Sequence, residues 1–193
     1  MMMKVVAFNG SPRKEGNTSI LIHTVFDVLN EQGIDTELVP IGNKAIHGCT
    51  ACRKCSEFKD QKCHIKNDLL NECIAKMVEA DGIIIASPVY FADVNTETKA
   101  LIDVAGCVTR ANGHSLARKV GAGIVVARRA GLVHSLDSIN NFFLINQMIV
   151  PGSSYWNVAF GNAPGEVLND TEGIQIMKKL GQNMAWLLKK INS

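Results

Sequence analysis

The stretch Lys4–Ser19, KVVAFNGSPRKEGNTS, decides how the rest of the chain is read. Lys4-Val-Val-Ala-Phe8 is a short apolar, β-branched run of the kind buried on both faces of a parallel sheet. Asn9, Gly10 and Pro12 break it, and a helical period takes over from Ile20. Between the two lie Ser11, Arg13, Gly16, Asn17, Thr18 and Ser19, so hydroxyls, a guanidinium and the free N–H groups of a helix start fall in one turn. Such a turn suits an anion. It lacks both the GxxxxGK[ST] of a triphosphate site and the GxGxxG of a dinucleotide site, so a single phosphate monoester fits it best. The plainer alternative is a polar turn with an ordinary N-cap.

Outward from this stretch, helices are expected at Thr18–Gln32, Asn67–Ala80, Asn95–Arg110, Ser135–Met148 and Thr171–Ile191, each with apolar residues at spacings of three and four. Strands are expected at Ile34–Ile41, Gly82–Ala86, Val120–Ala127 and Ser154–Phe160 in addition to the first. Five strands alternating with five helices imply an α/β, three-layer sandwich: a parallel sheet with helices on both faces. The order 2-1-3-4-5 follows by analogy with the mononucleotide version of this architecture. Every β-to-α loop of such a sheet emerges at its carboxyl edge. Ser11–Ser19, Cys49–Cys63, Pro88–Phe91 and Arg128–Gly131 are therefore all expected at one edge.

A chain of 193 residues is read as one domain, 1–193, with a Cys-rich insertion at about 42–66 that is long for a β-to-α connection. Twenty Lys and Arg against eighteen Asp and Glu give a formal charge of +2 with no extended basic run, which argues against a nucleic-acid or polybasic membrane partner. The longest apolar runs are strand length, short of a membrane span, and Met1–Lys4 leads into a strand rather than a signal h-region. A cytoplasmic protein is expected. In that compartment thiols stay reduced, so six cysteines, four of them bunched, point to metal or redox chemistry.

Three loops carry the chemistry. Pro88, Val89, Tyr90 and Phe91 are apolar where a loop normally turns polar, and would give a flat ring such as isoalloxazine its wall; otherwise they plug the core or a subunit contact. Arg128 and Arg129, beside Gly131, suit a reduced flavin or a pyridine-nucleotide phosphate, or are solvated surface. The cysteines read C-x2-C-x2-C-x7-C at Cys49, Cys52, Cys55 and Cys63. Three thiols within seven residues suit the corner of a [4Fe–4S] cubane, with a fourth brought back by the loop; zinc and free thiols are the alternatives. Cys73 and Cys107 fall on apolar helix faces and are expected in the core. His23, His47, His64, His114 and His134 show no paired spacing, and His64 is not expected to replace a ligand.

GSPRKEGNTSIL, CTACRKCSEFKDQKCHIKNDL and SPVYFADVNTETKALID together resemble the iron–sulfur flavoproteins of the flavodoxin-like NAD(P)H-dependent FMN reductase superfamily. The resemblance implies that Ser11, Arg13, Asn17 and Thr18, in the loop that Gly16 completes, hold the FMN phosphate, that Pro88–Phe91 line the flavin, and that Arg128, Arg129 and Gly131 form a third flavin loop. It implies that Cys49, Cys52, Cys55 and Cys63 ligate a [4Fe–4S] cluster. It further implies a homodimer or homotetramer in which cluster and flavin meet across a subunit boundary. The expected function is electron transfer between a ferredoxin-like or small-molecule redox partner and an acceptor, without a general acid or base. The alternatives are an NAD(P)H-dependent FMN or quinone reductase with no functional cluster, and a zinc-stapled flavodoxin-like binding module.

Overall fold

The computed structural model describes residues 2–65 and 68–192, so the expected helix start at Asn67 and the insertion's end at Lys66 lie outside the described residues. In chain order the elements are β1 (Lys4–Asn9), α1 (Asn17–Glu31), β2 (Asp35–Pro40), α2 (Lys54–Phe58), α3 (Asp68–Glu79), β3 (Gly82–Tyr90), β4 (Asp93–Val94), α4 (Thr96–Ala111), β5 (Val120–Ala127), α5 (Leu132–Ile145), β6 (Val158–Phe160), a 3-10 turn (Glu166–Asn169) and α6 (Thr171–Ile191). The parallel strands run β2-β1-β3-β5-β6 across the sheet, which is the expected order once the short antiparallel β4 is set aside.

The period-two alternation of the strands sorts the core into two layers. Val6, Phe8, Ile83, Ile85 and Val125 face one layer, with Leu70, Ile74 and Met77 of α3, Leu101 and Val104 of α4 and Leu136 of α5. Val5, Ala7, Ile84, Ile124 and Val126 face the other, with Leu21, Val25 and Leu29 of α1 and Met177, Leu180, Met184 and Leu188 of α6. The fold is therefore the flavodoxin-like three-layer sandwich.

Three boundaries differ from expectation for identifiable reasons. The strand at Gly82 continues through Ser87-Pro-Val-Tyr90, because Ser87 and Pro88 still pair with Val125 and Val126, and Val89 and Tyr90 pair back onto Val94 and Asp93. Pro88 loses a ladder donor only where the parallel pairing ends. Phe91 and Ala92 form the tight turn, with φ of 49° and 66°, the left-handed pair that a two-residue hairpin demands. The last strand starts at Val158 rather than Ser154: the Ser153 hydroxyl bonds the Tyr155 carbonyl (2.5 Å) and the Asn157 side chain (2.7 Å), folding the segment on itself. Helix α5 starts at Leu132 instead of Ser135, with Gly131 at its N-cap in the left-handed region (φ 87°).

Candidate functional site

The first loop holds itself in shape with its own polar groups. The Asn9 side chain accepts from Ser11 N (2.9 Å), the Ser11 hydroxyl accepts from Arg13 N (3.2 Å), and Gly16 N donates back to the Arg13 carbonyl (3.1 Å). Gly16 is the N-cap of α1, and no side chain caps that helix. Its first N–H groups and the positive end of its dipole therefore face the loop, which is the arrangement that binds an anion.

Ser11, Arg13, Asn17 and Thr18 of this loop share one cavity of about 130 Å³ with Pro88, Val89 and Tyr90, with Val126, Ala127 and Arg128, and with Gly161 and Asn162. The sequence-derived residues Ser11, Arg13, Asn17, Thr18, Pro88, Val89, Tyr90 and Arg128 are thus brought together. Four others do not line it. Gly16 lies one step behind Asn17, Arg129 is exposed beyond Arg128, and Phe91 is fully exposed at the hairpin tip. Gly131 acts through packing: a Cβ there would stand 2.7 Å from the Ala92 Cα and 2.9 Å from Val89 Cγ1, so only glycine lets the third loop press against the apolar wall.

Two of the lining side chains also make hydrogen bonds within the protein. Asn17 is already engaged: its amide donates to the Ala163 carbonyl (2.9 Å) and its oxygen accepts from Val167 N (3.3 Å). Arg13 donates to the Asn162 carbonyl (2.9 Å). Asn17 thus ties α1, and Arg13 the first loop, to the loop after β6, which Glu166 organises by accepting from Asn162 N (2.8 Å) and Ala163 N (2.7 Å). Those two N–H bonds, with Arg128 adding its charge, hold the Glu166 carboxyl below its ordinary pKa.

Beneath the wall lies a buried network that the sequence reading missed. Asn95 donates to the Gly10 carbonyl (2.6 Å), accepts from Thr98 (2.6 Å) and Ser87 (3.0 Å), and donates its own N–H to the Ser87 hydroxyl (3.1 Å). Ser87, Asn95 and Thr98 are essentially inaccessible to solvent. Gly10 fits against them only without a side chain, since a Cβ would stand 2.1 Å from Thr98 Oγ1 and 2.5 Å from Asn95 Oδ1. The network locks the first loop to the end of β3 and the start of α4.

The cysteine-bearing segment is built differently. Ala51, Arg53, Lys59 and Gln61 all adopt left-handed backbone (φ 50–62°), a concentration of strained non-glycine positions typical of ligand-binding loops. One end is anchored: Cys63 N donates to the Asn71 oxygen (2.8 Å) and the Asn71 amide donates to the Cys63 carbonyl (2.9 Å), while Gln61 N bonds the Asn112 side chain (3.0 Å). His64 pairs with Asp60 (3.1 Å) and packs its ring on Phe58.

Cys49, Cys52, Cys55 and Cys63 line one cavity of about 20 Å³, floored by Val104 and Val108 of α4. Among the described residues, no group of three or more Cys, His, Asp or Glu side chains is close enough to hold a metal ion as placed. The donor set, four thiols over an apolar floor, suits an iron–sulfur cluster. The space does not, since about 20 Å³ admits little more than one water, so a cubane requires the loop to spread. Burial, and then the neighbouring Cys52, Cys49 and Cys55, push the Cys63 thiol upward.

Two expectations are corrected here. Cys107 is not a core residue: it is exposed, it lines the same cavity, and its sulfur lies 3.7 Å from that of Cys49. The helical period placed it on the apolar face, one residue from Val108, and gave no sign of a loop lying over α4. Cys73, by contrast, is fully buried, and burial pushes its thiol up to about 12. The cysteines also do not sit at the carboxyl edge with the other loops. Their segment follows α4 toward its C-terminal end, and Cys107 is eleven residues along that helix, roughly 16 Å from the end that abuts the first loop.

A parallel sheet in this order, with an open anion-accepting helix start at its switch point, defines a flavodoxin-like mononucleotide-binding protein. Residues 3–163 match the family model NADPH-dependent FMN reductase, and the chain belongs to that family of flavin-dependent oxidoreductases. It is 38% identical to an iron–sulfur flavoprotein of Methanocaldococcus jannaschii, covering 98% of this chain and 99% of that one. It is 34% identical to an iron–sulfur flavoprotein of Methanosarcina thermophila, covering 98% and 97%. Among solved structures, a flavone reductase superposes with a TM-score of 0.72 at 17% identity, over 98% of this chain and 64% of that longer one, which speaks to the fold alone. Among the described residues no helix is long and apolar enough to cross a membrane.

Proposed function

We propose that the chain is an FMN- and [4Fe–4S]-bearing electron-transfer flavoprotein of a reducing, cytoplasmic compartment, taking electrons from a ferredoxin-like donor and working as a homo-oligomer. The observation that carries this is the gathering of all four motif cysteines around one cavity in a chain whose first loop offers an anion site. Bound there, FMN exchanges electrons one or two at a time and the cluster exchanges them singly. The N-terminal N–H groups of α1, with Ser11, Thr18 and the Arg13 guanidinium, hold the phosphate. Pro88, Val89 and Tyr90 give the ring a wall that excludes water from one face, and Arg128 sets positive charge beside it. Cys49, Cys52, Cys55 and Cys63 hold the iron, and the Asn71 clamp fixes the position of Cys63. The two cavities share no lining residue, so FMN in the first and a cluster in the second would be held by separate parts of the chain, and the proposed homo-oligomer would be what brings them together.

Anaerobic purification, with iron, sulfide, zinc and FMN analysis per chain, tests this. About four irons and one FMN are expected. FMN without iron, even after anaerobic reconstitution, removes the cluster from the assignment. The sulfurs' failure to converge as placed favours that second reading, an NAD(P)H-dependent FMN or quinone reductase, and rapid flavin reduction by NADPH would support it.

A further inference from the structure

Five of the six cysteines line the small cavity on α4, one more than the four-cysteine motif uses. We propose that Cys107 is a redox partner for Cys49, forming a disulfide with it under peroxide and so withdrawing Cys49 from metal binding. The pair is selected by geometry. The two sulfurs are 3.7 Å apart, whereas the contact of Cys55 Sγ in this neighbourhood is with the Cys107 carbonyl (3.9 Å). Ala51 N donates to Cys49 Sγ (3.4 Å) and aims that sulfur. Closing to a bond of about 2.05 Å needs less than about 2 Å of movement. One partner can supply it: Cys107 is fixed in the fourth turn of α4, while Cys49 lies in a stretch without regular structure. Both residues are exposed, so an oxidant reaches them.

The chemistry balances with a hydroperoxide as the oxidant. The Cys49 sulfur takes one oxygen as the O–O bond breaks, giving a sulfenic acid and one water. The Cys107 sulfur then displaces that oxygen, the S–S bond forms, and the hydroxyl leaves with the Cys107 proton as a second water. Two thiols lose two electrons and two protons, and one hydrogen peroxide becomes two waters. The pair stands on the geometry of the iron-free chain; only the clause that the disulfide competes with metal rests on the proposed function.

The test uses the purified full-length protein, before and after anaerobic reconstitution with iron and sulfide. Each sample is treated with stoichiometric hydrogen peroxide, alkylated in denaturant without reductant, and digested with trypsin. Peptide 45–53 (AIHGCTACR) joined to peptide 100–110 (ALIDVAGCVTR) is expected, with fragmentation placing the bond on Cys49 rather than Cys52, and with a loss of two alkylatable thiols per chain. Cys107→Ser removes the product while FMN content and melting temperature stay at wild-type values; Cys52→Ser keeps it. In iron-loaded protein the product is delayed until iron is released. A Cys49–Cys52 or Cys49–Cys55 bond as the main product, or Cys107 recovered alkylated, overturns the proposal. A chain that binds no iron yet forms the Cys49–Cys107 product refutes the cluster and leaves the pair standing.

Discussion

The two ends of α4 carry two kinds of site. At its N-terminus, Asn95 and Thr98 are buried and knit the first loop, β3 and α4 together, so the loop proposed to hold the phosphate is shaped by the chain's own contacts. Toward its C-terminal end, Cys107 of α4 and four cysteines of the loop laid over it ring a cavity too small for the group their chemistry suits, and four non-glycine residues between Cys49 and Cys63 are left-handed. The first site is made by the fold. On the proposed reading the second would be completed by its metal group, because thiols contribute little packing energy until they are joined through metal.

The largest effect that would sharpen this contrast is at the second site. Cys52→Ser should abolish iron incorporation on anaerobic reconstitution while FMN content stays near one per chain, since the cavities share no residue. Metal and flavin analysis of the same sample checks it. Concurrent loss of FMN would mean that the cysteine loop helps to shape the cradle, and the independence of the two sites would fail.

Next in size is an attack on the preformed site. Gly10→Ala puts a methyl 2.1 Å from Thr98 Oγ1 and 2.5 Å from Asn95 Oδ1, in a place with no room to relax. Overpacking of that kind costs roughly 1–3 kcal/mol, or about 2–4 °C in melting temperature per kcal/mol at this chain length. FMN affinity should fall with it. A variant that melts normally and binds FMN normally would show that the network is not what holds the loop.

Smaller still is Arg13→Ala. It removes a charge-assisted phosphate contact and the bond to the Asn162 carbonyl together, so the FMN dissociation constant should rise about tenfold or more. Arg13→Lys tells the two losses apart. If charge dominates, it recovers most of the affinity; if the fork that also reaches Asn162 dominates, it recovers little.

What could be read from the sequence, and what could not, follows the same division. The order of the parallel strands and eight of the pocket's lining residues were legible because buried strands are continuous apolar runs and because topology sends their following loops to one edge. The same rule reaches Gly161, Asn162 and Glu166 after the last strand, but their bland composition drew no attention. The hairpin at Phe91-Ala92 was missed because its turn carries neither Asn nor Gly. The Ser87–Asn95–Thr98 network was missed because three isolated polar residues carry no periodic signal. The position of the cysteine loop was misread because the edge rule applies to short connections, and a segment of about 25 residues is long enough to run down a helix.

The smallest effect concerns the loop that the sequence passed over. Glu166 accepts from Asn162 N and Ala163 N and lies in the field of Arg128, and its folded pKa is depressed. A carboxyl depressed on folding contributes stability that is fully present above its unfolded pKa and is lost as pH falls through the folded value. At neutral pH the loop is therefore held, and it should loosen only in acid, below the ordinary range of a glutamate. FMN binding in the wild type should weaken through that acid window, because Arg13 and Asn17 both lean on the carbonyls of Asn162 and Ala163. Glu166→Gln should bind FMN slightly more weakly at neutral pH and lose this component of the acid dependence, while keeping the part that comes from the phosphate's own protonation. The measurement is an FMN titration by fluorescence quenching at a series of pH values on both proteins. Parallel profiles would mean that Glu166 does not support the cradle, and the preformed character of the first site would then rest on the Asn95 network alone.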